Sequence, residues 1–280
     1  MRKIGFVDFY ISEWHANNYP AWIAQANEKL GTDFEVAYAW AEQDVSPIDQ
    51  VTTAQWCESM GVQKCDTLAE LCEKSDVILV LAPSNPEKHL QYAKEVLAYK
   101  KPTYIDKTFA PDCETAQKIF DIANEYGCPF FTTSALRYAD ELAKYRDAQH
   151  IILTGGGGNF AEYLIHTVEM AVVLLNSPAV KVKTECVGDQ RICRIQAQSG
   201  NEAVIVYSPC LEFSITAQLA DGTYEKTPVT SDFFVNLIAG ILKFFDNVEA
   251  PFDPAQTMEV MRVRTALIKA ESQDQKWMDL

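Results

Sequence analysis

From Lys3 to Thr133 the chain alternates short apolar runs with longer helical stretches, and no other feature narrows its fold as much. Lys3 to Phe9 is the first run. A helical stretch follows through Trp22, Ile23 and Leu30, and then a second run, Phe34-Glu35-Val36-Ala37-Tyr38-Ala39-Trp40. Leu68 to Lys74 reads as a helix before Asp76-Val77-Ile78-Leu79-Val80-Leu81-Ala82, whose unbroken apolar character suits a parallel strand covered on both faces. Pro83 to Pro86 ends that strand, and a helix from Glu87 to Tyr99, a strand from Pro102 to Asp106, a helix from Cys113 to Tyr126 and a strand from Pro129 to Thr133 complete the series. Strands alternating with helices require right-handed crossovers, and the result is a doubly wound parallel sheet.

After Tyr138 the pattern changes. A helix-like stretch from Asp140 to Arg146 leads to Ile151-Ile152-Leu153 and four consecutive glycines, Gly155 to Gly158, before a strongly apolar helix from Phe160 to Leu175. Strand-like segments follow at Val180 to Val187, at Arg191 to Tyr207 with a turn at Ser199-Gly200-Asn201, and at Leu211 to Leu219 with a turn at Asp221-Gly222. Consecutive hairpins predict an α+β domain with a mainly antiparallel sheet. Helices from Asp232 to Phe245 and from Pro254 to Ala270 close the chain. The expected division is 1–138 and 139–280.

The 280 residues carry a formal net charge of −15, which repels phosphate backbones and anionic headgroups, so neither a nucleic acid nor a membrane surface is an expected partner. A small-molecule ligand fits better. Asp8 interrupts the opening apolar run before a signal-peptide core forms, and no apolar run approaches the ~20 residues of a membrane span. Eight cysteines are scattered without a C-x-x-C pair, which reads as reduced, mostly buried thiols in a cytoplasmic protein.

A dinucleotide site of the usual kind needs a glycine-rich turn after the first strand, so that backbone amides at a helix N-terminus approach the pyrophosphate. Here the turn is Asp8-Phe9-Tyr10-Ile11-Ser12-Glu13-Trp14-His15 and contains no glycine. Ser12 and the following helix start offer at most a looser phosphate seat. At the end of the second strand Trp40 stands where an acid normally takes the ribose hydroxyls, with Glu42 two residues later. Trp14, Trp22, Trp40 and Trp56 suit either core or pocket. Lys107 follows a parallel strand directly, at the carboxyl edge where open α/β sheets hold ligands, although most lysines are solvated surface charges. Glu162, His166 and Glu169, at spacings of four and three, share one helical face, which supplies either an acid/base group flanked by carboxylates or a histidine satisfied in a helix interface. One histidine and two carboxylates are too few for a convincing metal site. Gly155 to Gly158 lacks the lysine and hydroxyl of a P-loop and reads as a flexible entry into the next helix.

Taken in order, these segments resemble the glucose-fructose oxidoreductase / inositol dehydrogenase / MocA (Gfo/Idh/MocA) family. Ile105-Asp106-Lys107-Thr108-Phe109-Ala110 is similar to its E-K-P-L-A segment, and Gly157 to Glu169 resembles its G-G-x-x-x-D-x-x-x-H-x-x-D helix. His15-Ala16 looks like the H-A after the family's glycine loop, and Arg137-Tyr138 like the R-[FY] that begins its second domain. The resemblance implies a Rossmann-type nucleotide-binding domain followed by a shortened substrate and oligomerisation domain, and assembly as a homodimer or homotetramer. It implies NAD or NADP as cofactor, with Phe9, Tyr10, Ile11, Ser12, Trp40, Pro83, Asn85, Asp106 and Arg137 around it. The implied reaction is oxidation at the CH-OH group of a sugar, cyclitol or related small molecule. In it His166 takes the hydroxyl proton, Lys107 orients and polarises that oxygen, and Glu162 sets the imidazole. Three departures stand against this: the loop has lost its glycines and is one residue shorter, Trp40 replaces an acid, and the stretch from Tyr138 to His166 is short. They leave open a rival from another class, a cofactor-free descendant that binds a small ligand or a protein partner, or runs acid/base chemistry such as dehydration.

Overall fold

The computed structural model describes residues 1–146, 148–219, 221–273 and 275–280, and the chain divides into two compact units. In chain order the first part contains β1 (Arg2–Asp8), α1 (Trp14–Leu30), β2 (Phe34–Ala41), α2 (Thr53–Met60), β3 (Gln63–Lys64), α3 (Leu68–Lys74), β4 (Val77–Val80), α4 (Pro86–Val96), β5 (Thr103–Ile105), α5 (Cys113–Tyr126) and β6 (Phe130–Phe131). The strands pair in parallel in the order β3-β2-β1-β4-β5-β6. That order reverses between β1 and β4, the switch point at which open α/β sheets hold ligands beyond the strands' carboxyl ends. All four residues of β4 are buried, as its unbroken apolar run requires.

The second part contains β7 (His150–Gly155), α6 (Phe160–Leu175), β8 (Ala179–Val187), β9 (Gln190–Ala197), β10 (Glu202–Tyr207), β11 (Ser214–Gln218), β12 (Tyr224–Pro228), α7 (Phe233–Asn247), α8 (Pro254–Ala270) and β13 (Met278–Asp279). Its sheet runs β12-β11-β7-β10-β9-β8-β13. Every pair is antiparallel except β7 with β10, so the sheet is mainly antiparallel, as the consecutive hairpins predict, with one parallel pair. Asp140–Tyr145 is a 3-10 helix rather than an α-helix.

The compact units do not follow the linear division at Tyr138. The first comprises Met1–Thr133 with Phe234–Pro254, the second Ser134–Phe233 with Ala255–Leu280. α7 therefore returns to the parallel sheet: Phe245 meets Phe34 at 6.0 Å between ring centroids and Phe244 meets Phe131 at 4.9 Å, while Arg2 pairs with Asp246. In the second unit Ile195, Ala203, Ile205, Leu153 and Ile215 are buried on one face of the mixed sheet. α8 is tied to that unit by Thr184 Oγ1 donating to Leu267 O and by Arg264 donating to Ala161 O of α6.

The glycine run is not a flexible entry. A Cβ on Gly156 would lie 2.1 Å from Ser208 O and one on Gly157, at φ +150°, 2.0 Å from the Tyr163 ring, so neighbouring backbone and ring occupy the space of a side chain. A Cβ on Gly158 would make only an ordinary contact, 3.8 Å from the Tyr163 ring.

Candidate functional site

In the first unit, β1 ends in a buried acid. One oxygen of Asp8 accepts from Phe9 N (2.7 Å) and Ala82 N (3.1 Å), while Oδ2 has no hydrogen-bond partner among the described residues. Burial, then the charge of Glu13, pushes the Asp8 carboxyl well above its usual range, with the two amides pulling the other way. Glu13 follows on the loop, 5% exposed, and acts as N-cap of α1: its carboxylate accepts from His15 N at 2.8 Å and from Ala16 N. His15 Nδ1 lies 3.2 Å from Glu13 Oε2 and its Nε2 3.6 Å from Asp106 Oδ2. Asp106, buried after β5, accepts at Oδ1 from Tyr104 (3.1 Å) and Tyr19 (3.3 Å). Three carboxyl groups and one imidazole thus fill the ground between β1, α1 and β5.

The other first-unit residues that the resemblance places around a cofactor are engaged within this unit. Ile11 and Ser12 are buried, and Ser12 Oγ donates to Asp49 at 2.7 Å. The Phe9 and Tyr10 rings contact each other at 5.9 Å. Trp40 packs edge-on against Tyr92, and Glu42 accepts from Tyr92 (2.7 Å) and Lys88 (2.5 Å). Burial works against the Glu42 carboxylate, but these two hydrogen bonds and the Lys88 charge hold its pKa below the usual value. Pro83 is buried, and Asn85 precedes α4 with its amide on Glu87. Of the other tryptophans, Trp56 is core, Trp22 stacks on Phe234 at 4.8 Å, and Trp14 is half exposed.

Lys107 sits half-buried directly after β5 and Asp106, joined to Thr108 by a cis peptide. His89, fully buried on α4, holds the segment that follows: Nδ1 lies 2.9 Å from Phe109 O and Nε2 2.8 Å from Leu81 O. Burial lowers the His89 pKa below its usual 6.5 despite both carbonyls.

In the second unit His166 is half-buried on α6, and Ser134 Oγ lies 2.7 Å from its Nδ1. Ser134 is a partner that sequence reasoning did not name. Glu162, one turn earlier, receives Asn159 Nδ2 at 3.0 Å while its own amide donates to Asn159 Oδ1, so it stands in the helix cap. Glu169 is buried and paired with Arg137 Nε, and Arg137 also donates to Gln256 at 2.7 Å. The Glu162, His166 and Glu169 face is thus real, with Ser134 and Arg137 as its additional partners. Among the described residues no three His, Cys, Asp or Glu side chains are placed to hold a metal ion. The buried thiols of Cys57, Cys65, Cys72, Cys128 and Cys193 are pushed up by burial to about 11 or 12, which disfavours the thiolate needed of a nucleophile. Among the described residues no helix is long and apolar enough to cross a membrane.

The first unit's parallel sheet, with its switch point between β1 and β4, is a Rossmann-type fold, and the second unit carries a mixed sheet and the helix with His166. Residues 29–134 match the model of the Gfo/Idh/MocA oxidoreductase family, described by its NAD-binding Rossmann fold. The match begins in the last turn of α1, beyond the Asp8 to His15 loop. No curated relative matches in sequence. The fold is shared along the whole chain with a probable dehydrogenase from Thermotoga maritima (12% identity, 99% of this chain and 98% of that one, TM-score 0.79). It is shared also with a myo-inositol dehydrogenase from Lactobacillus casei in complex with NAD(H) and myo-inositol (11%, 100% and 96%, 0.78). A UDP-N-acetylglucosamine 3-dehydrogenase from Acidithiobacillus ferrooxidans is as similar (12%, 98% and 99%, 0.78). At these identities the likeness is one of fold.

The fold would seat a dinucleotide's diphosphate on the amides at the start of α1. Those of His15 and Ala16 are taken by the Glu13 carboxylate, Asp8 is buried beside it, and Ser12, the looser alternative, is bonded to Asp49. The residues present do not fit a diphosphate there.

Proposed function

We propose that this chain is an enzyme that acts by proton transfer on a sugar, cyclitol or related small polyhydroxylated molecule, without NAD(P) in the pose usual for its fold. Lys107, Glu162 and His166 are its working residues. The observation that carries this reading is the Glu13 carboxylate on the α1 amides, which leaves redox chemistry without a seat for its carrier while the proton-handling groups are retained. A base at His166 removes a proton from a carbon beside a carbonyl, and the Lys107 ammonium stabilises the oxygen on which charge develops. Ser134 at Nδ1 fixes the ring, so that Nε2 is the working nitrogen. Glu162 contributes negative charge one turn away.

The test is exchange of solvent deuterium into a panel of ketoses, sugar acids and inososes, followed by proton NMR with no cofactor added. Exchange by the wild type, abolished in His166→Ala and slowed at least about tenfold in Lys107→Met, is the expected result, within the 10²–10⁴ range that one acid/base group supplies. A second reading, NAD(P)-linked oxidation of the same class of molecule, is favoured by the family match over 29–134. No exchange with any compound, together with reduction of added NAD(P), would select it.

A further inference from the structure

We infer that Glu13 is a built-in replacement for a ligand's phosphate: its carboxylate plugs the anion seat of α1, and its removal would open that seat to free anions. The inference deepens the proposed function and rests on it. A helix N-terminus presents unsatisfied N–H groups and the positive end of the macrodipole, and either a side-chain oxygen or a bound anion satisfies them. In this chain the group is charged, nine-tenths buried and two-pronged, with one oxygen on His15 N and the other on Ala16 N.

The choice of residue supports a plug over an ordinary cap. Serine, threonine, aspartate and asparagine are the preferred N-caps because a short side chain reaches back to the first-turn amides. The other capped helices follow that rule, with Thr52 on α2, Thr67 on α3, Asp112 on α5 and Asn159 on α6. α1 alone among these uses the longer glutamate, and its carboxylate is lodged beside buried Asp8 and His15. Like charge then excludes a second anion.

The experiment uses inorganic pyrophosphate as probe on the full chain, read by thermal unfolding and by calorimetric titration at mildly acidic pH. In Glu13→Ser the cap is conserved in kind, so α1 still starts at Trp14, but the charge and two carbons are gone. Glu13→Asp keeps both a favoured cap and the charge. The inference expects the wild type and Glu13→Asp to ignore pyrophosphate. Glu13→Ser is expected to unfold at lower temperature without it, to recover stability with it, and to bind it at least about tenfold more tightly than the wild type does, a difference of ~1.4 kcal/mol. A Glu13→Ser protein that folds and is indifferent to pyrophosphate overturns the inference while leaving the proposed function standing. A pyrophosphate response in Glu13→Asp equal to that of Glu13→Ser also overturns it, because charge would then not be what closes the seat. Tight binding of NAD(H) by the wild type would instead remove the proposed function and this inference together.

Discussion

Asp8 stands where the first strand of a nucleotide-binding sheet delivers its loop, and its burial is costly. A carboxyl whose folded-state pKa lies above the ordinary 3.8 takes up a proton on folding. The sign follows: the folded state binds more protons than the unfolded chain above pH 3.8, so this contribution to stability is full below that value and is lost as pH rises through the folded pKa. Asparagine at this position keeps an oxygen for the Phe9 and Ala82 amides and places a neutral donor where Oδ2 is unpartnered. Asp8→Asn is therefore expected to be more stable than the wild type at pH 7, because burial no longer penalises a charged form there. The advantage should vanish as pH falls toward 3.8, as urea unfolding across that range will report. A variant that is less stable at pH 7, or displaced equally at every pH, contradicts the assignment.

At the level of elements, the four glycines between β7 and α6 separate two kinds of position. Gly156→Ala drives a methyl into the carbonyls of Ser208 and Leu211 and is expected to cost about 1–3 kcal/mol or more, whereas Gly158→Ala, whose methyl meets the Tyr163 ring at an ordinary 3.8 Å, should stay within about 0.5 kcal/mol. Equal losses at both would mean that backbone freedom, as the sequence alone suggested, is the reason for the run. The elements with their own signal were legible: α3, α5, α6 and α8 begin and end where apolar periodicity placed them, because each buries one continuous face. α2 was not seen, though Thr52 and Gln55 spell a capping box that announces it. β3 and β13 span two residues each, too few for alternation to register. The parallel β7 and β10 pair joins strands from distant parts of the chain, which local patterning does not encode. At the candidate site the sequence showed the missing glycines and offered Lys107, Glu162 and His166 as candidates. It did not expose Ser134, 32 residues from His166, or Glu13, whose residue type is not a usual cap.

For the molecule as a whole, an open sheet face bears on assembly and a closed α1 terminus on cofactor use. The open face of the mixed sheet carries Ile152, 43% exposed, with half-buried Val204 and Val206 nearby, around a shallow cavity of about 200 Å³. A second copy of the chain is the proposed occupant, since an apolar patch on a sheet is more stable covered. Light scattering is expected to return a dimer or tetramer, and a monomer at all practical concentrations would remove that proposal. Net charge of −15 and a carboxylate on the α1 amides both act against a dinucleotide, even though residues 29–134 match a family model described by an NAD-binding Rossmann fold. Each unfavourable ~1.4 kcal/mol weakens binding tenfold, so a charged plug moves affinity out of the useful range. Calorimetric titration of the wild-type protein with NAD(H) and NADP(H) tests this most directly. The account predicts no saturable heat up to millimolar ligand. Binding at low micromolar affinity, or protein that purifies with the dinucleotide bound, would contradict it.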